Sequence, residues 1–164
     1  MLSECARAAS VEEARFRVDY PNSLARRIAI VALDRPAEDA IRRLAQKRWN
    51  AATFMTTAGH ERSRPIGDWL RDLSGEGLNL LDQISAADVV VTVSTAGESG
   101  EDAAVVAEAC GVHRVMMTAL LIDPASAPET SVLATMKPLR AHAAMLVVAK
   151  GEEYVEAMLT ALRA

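Results

Sequence analysis

The segment Asp88-Val-Val-Val-Thr-Val-Ser94 places the strongest constraint on the fold. Residues 89–93 are five β-forming residues in succession without a charge. A strand that is apolar at successive positions needs cover on both faces, as in a parallel sheet. Gly97 and Gly100 follow, and glycine reaches backbone angles that are closed to other residues. Two acidic residues then begin a helical pattern. The segment therefore predicts a central strand, a tight turn and a helix.

Apolar runs and helical patterns alternate along the rest of the chain. Further strands are expected at residues 28–33, 51–57, 115–122 and 144–149. Residues 66–83 are expected to be helical in two pieces, split at Ser74-Gly75-Glu76-Gly77. We predict an α/β fold: a three-layer αβα sandwich with a five-stranded, mostly parallel, doubly wound (Rossmann-like) sheet. Residues 1–25 are predicted to form an N-terminal helical arm, and residues 26–164 the domain.

Composition limits the partners and the location of the protein. The 164 residues are 51% hydrophobic and 24% charged, as in one globular domain. The net charge of −4 disfavours nucleic acid as a partner. No apolar run reaches the length of a membrane span, and Cys5 and Cys110 form no metal-ligand spacing. We therefore expect a cytoplasmic protein without a membrane partner.

Polar residues after the expected strands are candidates for a site, because open α/β sheets bind ligands beyond the carboxyl ends of their strands. The candidates for ligand binding are Asp34, Thr57, Ser94, Thr95, Ala96, Gly97, Ser99 and Gly100, and those for a catalytic base are His60, Glu98 and Glu101. The N–H groups of a glycine-rich turn and a helix N-terminus suit a small anion. Structural roles stay open: Ser94 can satisfy the turn, Asp34 can cap a helix, and His60 can lie in an exposed loop.

The sequence Val93-Ser-Thr-Ala-Gly-Glu-Ser99 resembles the phosphate-binding turn of the sugar isomerase (SIS) domain, commonly Ile-Ser-x-Ser-Gly-Glu-Thr at the end of a central strand. The resemblance covers roughly residues 26–150 and implies a parallel αβα sandwich, usually a homodimer. It further implies binding of phosphorylated sugars, by an isomerase or by a regulatory sensor, with Ser94 and Ser99 as the phosphate-binding hydroxyls. An isomerase also needs a base beside the sugar, whereas a sensor needs none.

Two other functions stay open. Asp34 and Asp123 suit a magnesium-dependent hydrolase, because magnesium prefers oxygen ligands. The strand followed by Thr95-Ala-Gly97 and a helix is also similar to the signature of tubulin and the bacterial division GTPases, which implies nucleotide binding. Acidic residues at 98, 101 and 102 would repel a nucleotide phosphate there. Neither a Gly-x-Gly-x-x-Gly sequence after the first strand nor a Walker loop is present, so no cofactor is expected.

Overall fold

The computed structural model describes residues 25–61, 63–124 and 127–164, so the arm predicted for residues 1–25 lies almost wholly outside the described residues. The elements are β1 Ile28–Ala32, α1 Arg35–Leu44, β2 Ala52–Thr56, β3 Leu70–Asp72, β4 Gly77–Leu78, α2 Leu80–Ser85, β5 Val89–Thr95, α3 Ala103–His113, β6 Met116–Ile122, α4 Glu129–His142, β7 Met145–Ala149 and α5 Glu152–Ala161. A 3-10 turn, Ile66–Asp68, precedes β3. Within the described ranges, every helix is too short or too polar to cross a bilayer.

All strands belong to one seven-stranded sheet in the order β4-β3-β2-β1-β5-β6-β7. The five strands β2, β1, β5, β6 and β7 are parallel, and the strand around residues 89–93 is central, as the sequence predicts. The winding reverses between β1 and β5, because the chain proceeds from β1 to β2 on one side and from β5 to β6 on the other. Ligands of open α/β sheets bind at such a switch point.

The prediction of five strands, and of a helix in residues 66–83 before the split at residues 74–77, is wrong at one edge of the sheet, whereas α2 lies after the split. There β3 and β4 form an antiparallel hairpin beside β2, which makes the sheet mixed. The Asp72 carboxylate closes the hairpin turn by accepting hydrogen bonds from the N–H groups of Ser74 and Glu76. The Ser74 hydroxyl also donates to Asp72 and holds the pKa of that carboxyl below its usual value. Gly75, at φ 96°, supplies the left-handed backbone that the turn needs.

Both faces of the central strands are covered, which explains their uninterrupted apolar sequences. Alternate residues of β1 point to opposite faces: Ile28 and Ile30 pack with α1 and α5, whereas Ala29 and Val31 pack with α2, α3 and α4. All five residues of β1 are at most 1% exposed. The sheet therefore lies between two helical layers, and its polar groups can reach a ligand only from the ends of the strands.

Cys110 on α3 is buried against the second of these faces. Burial raises the pKa of its thiol to about 11. Because the thiolate is the reactive form, we expect Cys110 to resist iodoacetamide at about pH 8 until the protein unfolds. Mass spectrometry of a Cys5→Ser variant, in native buffer and in guanidinium, measures the alkylation rate. Equal rates in the two conditions would contradict the burial of this thiol.

Candidate functional site

At the switch point, Asp34 and Ser94 are neighbours, but they bond to each other. Asp34 follows β1, and its Oδ1 accepts from the Ala37 N–H at 2.8 Å, which caps α1. Its Oδ2 accepts from the Ser94 hydroxyl at 2.7 Å and from the Thr95 N–H at 2.8 Å. Asp34 is 8% exposed and Ser94 is fully buried. This geometry supports the structural role that the sequence left open for both residues.

The turn after β5 is held by its own chain and by its neighbours. Gly97 and Gly100 have φ angles of 100° and 64°, as their positions in the sequence predict. Four successive N–H groups donate within the protein: Thr95 to Asp34, Ala96 to the Ile122 carbonyl, Gly97 to the Thr135 hydroxyl and Glu98 to the Thr95 carbonyl. An anion bound at this turn would therefore compete with existing hydrogen bonds for these four donors.

Glu98, Ser99 and Glu101 are at the surface, whereas Gly100 is buried. Ser99 is exposed, and its hydroxyl accepts a long hydrogen bond, 3.5 Å, from the Glu101 N–H. Glu98 and Glu101, two of the three candidate bases, are exposed as well. The third, His60, has a side chain that is only 8% exposed. Burial therefore separates His60 from the other two candidates.

His60 lies inside the molecule, which excludes the exposed-loop alternative. Its ring stacks on Trp69, with the ring centroids 3.8 Å apart and the planes 25° from parallel. Its Nδ1 lies 2.8 Å from the Thr57 carbonyl oxygen and 3.2 Å from Oδ2 of Asp102. A carbonyl and a carboxylate only accept hydrogen bonds, so Nδ1 carries a proton. In the neutral ring the lone pair is then on Nε2.

The carboxylate of Asp102 faces Nδ1 of the His60 ring. It precedes α3, yet its carboxylate makes no hydrogen bond to the N-terminus of that helix. The same Oδ2 that faces His60 accepts from the Thr57 hydroxyl at 3.0 Å. Thr57 is buried, and its N–H donates to the Ala32 carbonyl, which fixes the group to β1. A carboxylate so placed sets the orientation of the imidazole.

His60 borders a cavity of about 200 Å³ between its own loop and the β3–β4 hairpin. The lining includes Gly59, His60, Arg64, Asp68, Trp69 and Arg71. In the described part of the chain, His60 Nε2 and Arg71 Nε are buried without a hydrogen-bond partner. Nearly all buried polar atoms in proteins have a partner, and ligand pockets offer a few convergent polar groups. The cavity is therefore lined by two residues, His60 and Arg71, that each have one buried polar atom without a partner in the described part of the chain.

A second cavity, of about 280 Å³, lies on the other face of the sheet between α1 and the start of α5. Thr95 borders it, and the Thr95 hydroxyl is buried without a partner among the described residues. Arg43 and Glu152, which form an ion pair, stand on its rim. Within the described turn, Thr95 thus has a buried hydroxyl without a hydrogen-bond partner and borders a cavity.

The magnesium alternative gains no support from the geometry. Both carboxylate oxygens of Asp34 already accept hydrogen bonds. Asp123 follows β6, and its N–H donates to the Ala149 carbonyl. Within residues 25–61, 63–124 and 127–164, no three His, Cys, Asp or Glu side chains are grouped as a metal site requires.

The sequence did not indicate Asp102, Trp69 or Arg71 as site residues. The helix predicted for residues 66–83 placed Trp69 on an apolar face and gave Arg71 no role. Asp102 was expected to act on the dipole of the helix that it begins. His60 follows β2 and Asp102 follows β5, so both lie at the carboxyl edge of the sheet. These positions predict a contact between the two residues only when the order of the strands is known.

Fold and site together define an α/β protein with a mostly parallel sheet and a buried His–Asp pair at a polar cavity. In comparisons with known proteins, the chain matches no protein-family model and no curated protein. The resemblance of the turn after β5 to SIS domains and to division GTPases therefore stays a prediction.

Proposed function

We propose that His60 and Asp102 form an acid–base centre that moves protons to and from a small polar ligand in the adjacent cavity. One observation carries this proposal: Nε2 of His60 is buried, has no partner in the described chain and belongs to a residue that lines the cavity. Thr57 and Asp102 hold the proton on the opposite nitrogen. Imidazole takes up and releases protons near neutral pH, so Nε2 suits general acid–base catalysis.

A purely structural role for His60 explains less of this geometry. Leaving a buried polar atom without a hydrogen bond costs on the order of 1–3 kcal/mol. Stacking of His60 on Trp69 contributes about 0.5–1.5 kcal/mol, which does not clearly offset that cost. A ligand that donates a hydrogen bond to Nε2 would remove the cost.

Proton transfer, as in an isomerase, fits the site better than covalent hydrolysis. A hydroxyl or thiol nucleophile would lie within hydrogen-bond reach of the basic nitrogen. No side chain of the described ranges bonds to His60 Nε2. Arg71, at the same cavity, can stabilise negative charge that develops on the ligand. A small phosphorylated sugar stays a candidate ligand on the strength of the resemblance to SIS domains.

A ligand screen with the full chain tests the proposal. Sugar phosphates and other small polar metabolites are screened by thermal shift against the wild type and His60→Gln. Ligands that raise Tm are incubated in D₂O, and ¹H NMR follows exchange of carbon-bound protons and formation of product. We expect a ligand that binds both proteins and is exchanged or converted only by the wild type. Binding without exchange or conversion would indicate a sensor and contradict acid–base catalysis.

Binding at the turn after β5, as the sequence resemblance implies, is a separate proposal with its own test. It is supported by the resemblance and by the unpartnered Thr95 hydroxyl beside the second cavity. A ligand at that position should lose affinity in Thr95→Val and keep it in Arg71→Gln, a change at the cavity beside His60. The reverse pattern would place the ligand at the cavity beside His60.

A further inference from the structure

Arg71 is a second unusual group at the cavity beside His60. It lies on β3, opposite Thr56 of β2 in the antiparallel ladder. One of its terminal nitrogens donates to the Ala58 carbonyl, and its Nε is buried without a partner. In the described ranges no carboxylate forms an ion pair with Arg71, whereas Arg64 at the same cavity pairs with Glu61.

The guanidinium of Arg71 is partly buried and forms no ion pair within the described ranges. These two properties indicate which kind of ligand fits the cavity. Arginine stays charged and presents five N–H donors in a planar fork that matches a carboxylate or a phosphate. Asp68, the acidic residue at this cavity that forms no ion pair within the described ranges, is exposed, so solvent screens its charge. The positive charge of Arg71 is therefore the less screened of the two.

We propose that the cavity takes a small organic anion, whose carboxylate or phosphate group is bound by Arg71 while the rest of the ligand faces Nε2 of His60. The role of His60 rests on the proposed acid–base function, but binding of the anion by Arg71 does not depend on it. The ligand class follows from a donor without an acceptor and a cation without an ion pair, both within the described ranges, at the same cavity.

A short stretch of backbone links Arg71 to His60. Ala58, which accepts the hydrogen bond from Arg71, is two residues before His60. Gly59 between them has φ 70°, and a Cβ at this position would lie 2.6 Å from a guanidinium nitrogen of Arg35. The loop thus passes beneath Arg35 in a conformation that only glycine adopts easily. Because both residues line the same cavity, we expect a single ligand to contact Arg71 and His60 together.

The test uses inorganic phosphate, acetate and neutral acetamide as probes of the full, ¹⁵N-labelled chain, with sodium chloride keeping the ionic strength constant. The Nε–H signal of Arg71, assigned by its loss in Arg71→Gln, and the indole N–H signal of Trp69 are followed by NMR. We expect phosphate or acetate to shift both signals saturably and acetamide to leave them unchanged. The tighter of the two anions shows whether the site prefers phosphate or carboxylate.

Variants decide whether Arg71 is responsible. Arg71→Gln should weaken binding of the anion, measured on Trp69, by about tenfold or more, as for the loss of a charge-assisted hydrogen bond. Arg64→Gln, the matched control at the same cavity, should stay within about twofold. If Arg71→Gln does not fold, Arg71→Lys keeps the charge but lacks the planar fork and should also bind more weakly.

Different experimental results would contradict the proposed anion site and the proposed acid–base function. No saturable shift with either anion, or equal affinity in the wild type and the Arg71 variant, would overturn the anion site. His60→Gln should bind the probes as the wild type does. Anion binding without conversion of any ligand would overturn only the acid–base function, and conversion of a neutral ligand alone would overturn only the anion site.

Discussion

Replacing His60 with glutamine should lower the rate of ligand conversion by about 10²- to 10⁴-fold, the range that a general acid–base group contributes. Glutamine has a similar length and can still bond to the Thr57 carbonyl, but it cannot take up a proton. The groups that hold the ligand remain, so kcat should fall while KM changes little. Steady-state kinetics with a ligand that the wild type converts measure both constants.

Two further variants serve as comparisons for the effect of His60→Gln on the rate. His113 is exposed on α3, and His113→Gln should keep the wild-type rate. Asp102→Asn removes a carboxylate that orients the imidazole of His60, and it should lower kcat less than the loss of the base itself. A His60→Gln enzyme that is as fast as the wild type would contradict the role of His60.

Replacing Asp34 with alanine should lower the free energy of unfolding by about 3–7 kcal/mol. The change removes the N-cap of α1, which contributes about 1 kcal/mol. It also leaves the buried Ser94 hydroxyl and the Thr95 N–H without their acceptor, each at about 1–3 kcal/mol. Because a domain of this size is stable by roughly 5–15 kcal/mol, much of its stability would be lost. Urea unfolding with an unchanged m-value measures the effect.

Matched variants separate the structural role of Asp34 from a role in ligand binding. Asp34→Asn keeps one acceptor and should cost about half as much. Asp39→Ala, on the exposed side of the same helix, should change stability by about 0.5 kcal/mol or less. If Asp34→Ala were as stable as the wild type, the hydrogen bonds that join β1 to β5 would not be structural, and a role in binding would be favoured.

The parallel strands could be predicted because burial on both faces makes β1 and β5 apolar at successive positions. The β3–β4 hairpin could not, since strands of three and two residues are too short to show an alternating pattern. Its turn depends on hydrogen bonds to the Asp72 side chain. The helical spacing of nearby apolar residues predicts a helix there instead.

The candidate site was predictable only in part. Asp34 and Ser94 are candidates because both follow apolar strands, and the pairing of β1 with β5 brings them together. The contact of His60 with Asp102 depends on the path of the loop after β2, which no local pattern specifies. The homodimer predicted from the sequence concerns a second chain and stays a prediction, for which light scattering is the test.

The ¹⁵N NMR spectrum of the imidazole rings at about pH 9, where an ordinary histidine is neutral, shows whether Nε2 of His60 is a free base. Loss of a signal in His60→Gln assigns the ring. We expect a proton on Nδ1, held by Thr57 and Asp102, and an unprotonated Nε2 whose signal moves when the cavity is filled. A neutral ring with its proton on Nε2 would contradict the hydrogen bonds at Nδ1 and the acid–base role built on them.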